Sequence, residues 1–417
     1  MYVLDFALKE VLGLSYTLTH DEAEFELSKA FRLNYSHRQL ACDLHIESIG
    51  LLYETELVDK EIQVSQWQGM PIFFQTSVAQ VPFDLFSAIF YLVSRYEEYQ
   101  PYEPDEYLRY PHTQSLAYMH QFLDLPLVDM WLEALKQMLL KSMEAHAFEL
   151  RQFSFVPTYD IDIAYSYKCK GFLRTLGGLG NDLLQGKWTS IADRIAVIGG
   201  SQRDPYDTYS LMDEWHEKHR LNPIYFFLLS DGGPMDKNLP YDAACMQVLL
   251  KSTKNRYRVG IHPSWQSHSQ EAILVQELGR LGETSLSRQH YIRFTLPETY
   301  RRLMQLGFTD DYSMGYGSIN GFRASTSHSM LWFDLEQNCA TSLRLHPFCF
   351  MECNAFFEQK MTSEEALEQL RQYVKILKEV NGQLITIWHN FSLGTDPLWT
   401  GWPEMYARFL EEIGEKR

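Results

Sequence analysis

The chain reads as an α/β protein, with parallel strands covered by helices in its C-terminal part and a smaller α+β portion before them. Three observations predict this. Its 417 residues exceed one ordinary core and imply two domains, 1–150 and 151–417. After residue 150, apolar strand candidates alternate with helical stretches, the order that sets strands in parallel, in a sheet or a closed barrel. In that half the unusual polar residues collect where strands end, the place where parallel α/β proteins gather their active groups.

Residues 1–150 carry structural signals. Leu85, Phe86, Ile89, Phe90, Val93 and Tyr96 recur at helical spacing and predict an amphipathic helix through PFDLFSAIFYLVSRYEEY. A second helix is expected from Pro126 to Leu140, with Leu127, Met130, Trp131, Leu135 and Met138 on its buried face. The short segments FRLNYS, IGLLYE and MPIFFQT alternate as strands do. Arg95, Glu97 and Glu98 read as a solvated helix face with local ion pairs, a ligand-holding cluster being the alternative. Further on, SFVPTYDIDIAY, PIYFFLLS, YRVGIHPS, HYIRFT, SLRLHPF and QLITIWHN are strand candidates. Helices are expected at Ser210–His219, Glu271–Leu281, Pro297–Leu306 and Ser363–Val380. Residues 171–200 form a helical insertion after the first strand, lining a substrate groove or simply covering the fold.

Composition narrows the function. With 45% hydrophobic and 14% aromatic residues the chain is not a disordered one. Its 37 basic and 54 acidic residues leave −17, a field that repels phosphate backbones and argues against nucleic-acid binding. The first residues include Asp5, Lys9 and Glu10 and lack the pattern of a signal peptide, and no window approaches the ~20 apolar residues of a membrane span. The six cysteines (42, 169, 245, 339, 349 and 353) are scattered, as free thiols in a reducing compartment are, so the cytoplasm is the expected location. Cys349 and Cys353 are spaced like zinc ligands, but no second pair lies near them in sequence, and buried thiols are expected.

Five motifs could carry chemistry. In Thr158-Tyr159-Asp160-Ile161-Asp162, two carboxylates end an apolar strand and share a face. Two close anions are costly unless a cation separates them or one is protonated, so a divalent metal would leave one as ligand and the other as base. His262 ends a strand after Gly260, which permits close backbone approach. His290 follows Ser287-Arg288-Gln289, Arg323 lies in Gly321-Phe322-Arg323, and His389 closes the last strand. Each is weak alone. An aspartate pair with three histidines at strand ends points to a metal hydrolase site. His346 and the tryptophans 265, 332, 388 and 402 read mainly as packing residues, with substrate contact as the alternative. Asp310 and Asp311 read equally as solvent-exposed capping or turn residues and as groups that orient a sugar or tune His389.

This ordered set resembles the NodB-type polysaccharide deacetylases over roughly residues 153–395. The resemblance implies an irregular (β/α) barrel and a zinc-type divalent ion. It makes Asp160 the general base, Asp162 and His262 metal ligands, Arg323 the guanidinium that orients Asp160, and His389 the general acid. In the usual second motif another histidine follows four positions after the first, but here that position is Gln266. His290 is the expected third ligand, since Gly-x-His-Pro-Ser and Ser-Arg-x-His-Tyr occur together in an offshoot of the family. His268, or no third protein ligand, are the alternatives.

The expected function is a metal-dependent hydrolase that removes an N-acyl group from an amino sugar of a bacterial surface polysaccharide or its precursor. Cleavage of another non-peptide C–N bond, and an inactive carbohydrate-binding relative, are the competing readings.

Overall fold

A computed structural model describes residues 1–78, 80–141, 148 and 151–414. Residue 150, the expected domain boundary, and residues 415–417 lie outside them. In the N-terminal portion β1 (Leu33–Tyr35) pairs in parallel with β2 (Leu44–Ile46), and β3 (Ser65–Trp67) pairs antiparallel with β4 (Met70–Ile72). Gln68 and Gly69 between the latter two both take positive φ, the backbone of a tight hairpin turn. IGLLYE is not a strand. Gly50 at φ 99° turns the chain into a short 3₁₀ helix over Leu51–Tyr53. Both long helices form, at Leu85–Val93, capped by Asp84, and at Leu127–Leu139, but the first is buried at all nine positions rather than amphipathic.

The C-terminal portion builds a nine-stranded sheet from β5 (Ser154–Ile161), β6 (Ile224–Phe227), β7 (Arg258–Ile261), β8 (Leu286–Ser287), β9 (Asp310–Asp311), β10 (Met330–Asp334), β11 (Cys339–Leu345), β12 (Phe350–Met351) and β13 (Gln383–His389). Their order is β10-β11-β9-β8-β7-β6-β5-β13-β12, and every pair is parallel except the β10–β11 hairpin. Among the described residues the ladder ends at β10 and β12, so the expected barrel is an open sheet as far as strand pairing goes. The N-terminal portion occupies the β10 end. Tyr2 donates to the Leu331 carbonyl at 2.7 Å, and the rings of Tyr2 and Phe90 pack on Phe333. HYIRFT also departs from expectation. The strand lies just before it, and His290–Ile292 is a 3₁₀ turn with Tyr291 and Ile292 in the left-handed region.

One contiguous apolar cluster runs from Val3 to Ile413 and includes residues of both portions. Its polar seam corrects two expectations. Arg95, Glu97 and Glu98 are buried rather than solvated. Arg323 also points there, donating to both Glu98 carboxylate oxygens at 2.8 and 2.6 Å. Burial disfavours the Glu98 carboxylate, but Arg323 and Arg95 outweigh it and hold Glu98 below its ordinary value. A further correction concerns the cysteines: Cys169 and Cys245 form a disulfide, which removes the argument for a reducing compartment. None of the described helices is long and apolar enough to cross a membrane.

Candidate metal centre

Parallel pairing puts the C-terminal ends of the strands along one edge, and register decides which side chains meet there. His389 is paired with Asp160, and Asp160 with Phe226, which is paired with Gly260. Residues in register share a face in a parallel sheet, so His389, Asp160 and, two positions on, Asp162 point to the same side. Gly260 is required by packing. A Cβ there would lie 2.6 Å from the Phe226 ring and 2.8 Å from the Leu286 carbonyl. The β7 and β8 ladders run one residue further, through His262 N–H to the Phe227 carbonyl and Arg288 N–H to the Ile261 carbonyl. This delivers His262 and Arg288 to the same edge.

There Asp162, His262 and His290 converge, their ligating atoms all within 4.8 Å of one another. Asp162 Oδ1 lies 3.3 Å from His262 Nε2, and Oδ2 lies 3.5 Å from Nε2 of both His290 and His389. The outer ring nitrogens are already engaged. His262 Nδ1 donates to the Arg288 carbonyl at 2.5 Å and His290 Nδ1 to Asp236 at 2.9 Å. That arrangement turns both Nε2 atoms inward, as metal-ligating histidines are held. Asp162 Oδ1 is buried without a hydrogen-bond partner, since the His262 contact lacks the geometry of one. One carboxylate and two imidazoles with an orphaned oxygen at their centre are a donor set suited to zinc.

Charge within the cluster agrees with a site made for a cation. Burial would raise the Asp162 carboxyl, but His290, His262 and His389 overcome it and hold it well below its ordinary value. Burial would lower His290, yet Asp162 and Asp236 push it up to about 9. A proton on His290 therefore does in part what a metal would do, and metal and proton compete.

Asp160 is buried, and its partner is Arg288 rather than Arg323. Arg288 Nη1 donates to Asp160 Oδ1 at 3.0 Å and to Thr158 Oγ1 at 2.7 Å, while Nε donates to the Tyr312 carbonyl. Arg323 is spent on Glu98 and the Gly315 carbonyl. The expected pairing fails because Arg288 rides the extended β8 ladder straight to the carboxylate.

His389 has a partner that sequence reasoning missed. Glu352, just past β12, accepts from both the His389 backbone N–H at 2.7 Å and its Nδ1 at 2.8 Å. Burial would lower His389, but Cys353 and Glu352 outweigh it and hold the imidazole well above its ordinary value. A charged residue at the end of an apolar strand, Phe350-Met351-Glu352, was the available signal. Glu352, Cys353 and His389 form a second potential ligand group, but burial pushes the Cys353 thiol up to about 12, so it is no ready thiolate.

The remaining candidates are placed as follows. His268 belongs to neither ligand group, and burial with Arg293 and Arg302 nearby pushes it down to about 4. His346 is held by Asp310 at 2.7 Å and Ser329 and stacks on Tyr312, a packing role. Asp311 is buried against Ser287 and Ser313. Trp332, Trp388 and Trp402 are buried, whereas Trp265 is half-buried and packs edge-on to Tyr291. Tyr107, from the N-terminal portion, stacks on Tyr291 at 5.4 Å, and Arg109 donates to the Tyr291 carbonyl at 2.7 Å. The N-terminal portion thus reaches the turn that carries His290.

Comparison with known proteins adds the following. The model of a family of unknown function, DUF7033, matches residues 1–144. No curated protein matches in sequence. Among solved structures, one described as a candidate polysaccharide deacetylase from Mycobacterium smegmatis is 13% identical, with a TM-score of 0.41, over 64% of this chain and 85% of that one. A second, described as a candidate polysaccharide deacetylase involved in O-antigen biosynthesis from Bordetella bronchiseptica, is 10% identical, with a TM-score of 0.31, over 57% and 72%. An allantoinase is 10% identical, with a TM-score of 0.40, over 64% and 86%. At these scores the likeness assigns neither activity nor substrate to this chain.

Proposed function

We propose that the chain is a divalent-metal hydrolase, with zinc the expected ion, that removes an N-acyl group from an amino sugar of a polysaccharide or its precursor. The observation that carries this is the convergence of Asp162, His262 and His290 on one point beside a second, separately held carboxylate. These three would hold the ion, which when bound supplies an acidified water and a positive centre for developing negative charge.

The chain's own residues supply the rest. Arg288 fixes one oxygen of Asp160, leaving Oδ2 to take the proton of the attacking water. His389, its Nδ1 held by Glu352, presents Nε2 towards Asp162 and the reacting centre, where it gives its proton to the departing nitrogen. An amine leaves poorly as an anion, so a separate acid is needed. Tyr107, Tyr291 and Trp265 form a half-buried aromatic group beside His290. Tyr107 stacks on Tyr291 and Arg293 on Trp265, so a sugar would meet their outer surfaces, and this group favours a sugar over a small cyclic ureide. On this reading residues 1–150 are an N-terminal domain that completes the substrate site of residues 151–417.

The test is acetate release by zinc-loaded protein from N-acetylated mono- and oligosaccharides, with a cyclic ureide in parallel. Turnover of an acetylated sugar that Asp160→Asn abolishes is the expected result. Turnover of the ureide alone, or of neither substrate by fully metallated protein, overturns the proposal.

A further inference from the structure

The helical insertion after β5 is built inside out. Its helices, Gly171–Leu184 and Trp188–Ile198, meet through polar groups. Arg194 donates to Asp182 at 2.7 Å, both being 8% exposed, and a Cβ on Gly178 would lie 2.5 Å from the Arg194 guanidinium. Six of the described large apolar side chains face outward. Leu176, Leu183, Leu184, Trp188, Ile195 and Ile198 are between 48% and 89% exposed, with Leu184 and Trp188 flanking the connecting turn. A hairpin that only covered the sheet would turn these inward.

Charge identifies the occupant. Residues 168–207 carry six basic and four acidic residues, a net positive segment in a chain whose net charge is −17. Although Lys168 and Arg203 pair with Asp207 and Arg194 with Asp182, Lys187 stands exposed beside Trp188. We propose that this hairpin docks the protein on an anionic membrane surface. Leucine, isoleucine and tryptophan would enter the headgroup boundary, with Lys187, exposed at the turn, facing lipid phosphates. A second copy of the chain fits less well, because a two-fold contact would set the basic segment against itself. The helices have 14 and 11 residues, too short to cross a bilayer, so the element lies on the surface. Asp204, just beyond the hairpin, accepts the backbone N–H groups of Ser166, Tyr167 and Lys168, which ties both ends of the insertion together after β5. Docking would therefore keep the edge that bears Asp160 and Asp162 close to the membrane.

Sedimentation of the full chain with phosphatidylcholine vesicles, with and without phosphatidylglycerol, tests this. Phosphatidylglycerol should strengthen binding more than about tenfold. The double variant Leu184→Glu with Trp188→Glu should lose binding while its circular dichroism and metal content stay unchanged. Wild-type protein that ignores phosphatidylglycerol, or a variant that binds as well, overturns the proposal. A wild-type dimer that the variant converts to monomer, without vesicle binding, assigns the face to a second copy and overturns it too.

Discussion

Arg288 Nη1 lies 3.0 Å from Asp160 Oδ1, and its guanidinium rests on the Phe226 ring at 4.5 Å. Both charges are buried, so the carboxylate keeps its orientation only while this arginine is present.

Asp160→Asn is therefore expected to keep the metal and lose about 10²–10⁴-fold in kcat. Arg288→Gln should also lower kcat, and the double variant should be little worse than Asp160→Asn alone. Arg323→Ala behaves differently. It takes from buried Glu98 one of its two guanidinium partners, Arg95 remaining, costs about 1.5–3 kcal/mol of stability, and adds independently to Asp160→Asn. Additive kinetic losses for the Arg288 pair would break the proposed contact.

His290→Gln should weaken zinc binding by more than about tenfold, because it removes one of three donors, whereas His268→Gln should leave affinity unchanged. Competition titration with a chelator checks both. Equal affinities in the two variants would remove His290 from the ligand set.

Glu352→Gln leaves Asp162, His262 and His290 untouched but loosens His389. Zinc content should stay normal while turnover of an N-acetyl sugar falls about 10–100-fold. An activated aryl ester, whose leaving group needs no proton, should lose far less. A uniform loss on both substrates would argue against His389 as the acid.

Asp311 gives a pH signature outside the metal cluster. Burial raises its carboxyl to about 6, against which Ser287 and Ser313 donate. A folded-state pKa above the unfolded value means the protonated form is favoured by folding. That stability is complete below the unfolded pKa and is lost as pH rises through about 6. Relative to Asp311→Asn, the wild type should lose on the order of 2 kcal/mol between about pH 4 and 7. Urea unfolding of both proteins across that range is the check, and a pH-independent difference would contradict it.

Arg109→Ala should loosen the left-handed turn at Tyr291 and, through it, His290. Zinc affinity is expected to fall about tenfold, with Arg109→Lys recovering part of it. Unchanged affinity in the alanine variant would confine Arg109 to a packing role.

The sequence by itself determined the alternation of strands and helices after residue 150. It also placed Asp160, Asp162, His262 and His389 at strand ends, because those signals are local, whereas the strand it expected to open at His290 is a 3₁₀ turn. A strand shows its period within a few residues, and a histidine at its end is visible without knowing its neighbours. Which arginine meets Asp160 was not local. Arg288 and Arg323 both follow chemically suggestive neighbours, and only register across β7 and β8 sends one to the carboxylate and leaves the other to Glu98, 225 residues away. Glu352 was hidden for the same reason, since its importance comes from β12 lying beside β13. The packing on the β10 end likewise comes from afar, from Tyr2 and Phe90 near the other end of the chain. Periodicity and motif are written along the chain, whereas the pairing of buried charges is settled by which surfaces pack together. There a buried ion without its partner costs too much to survive.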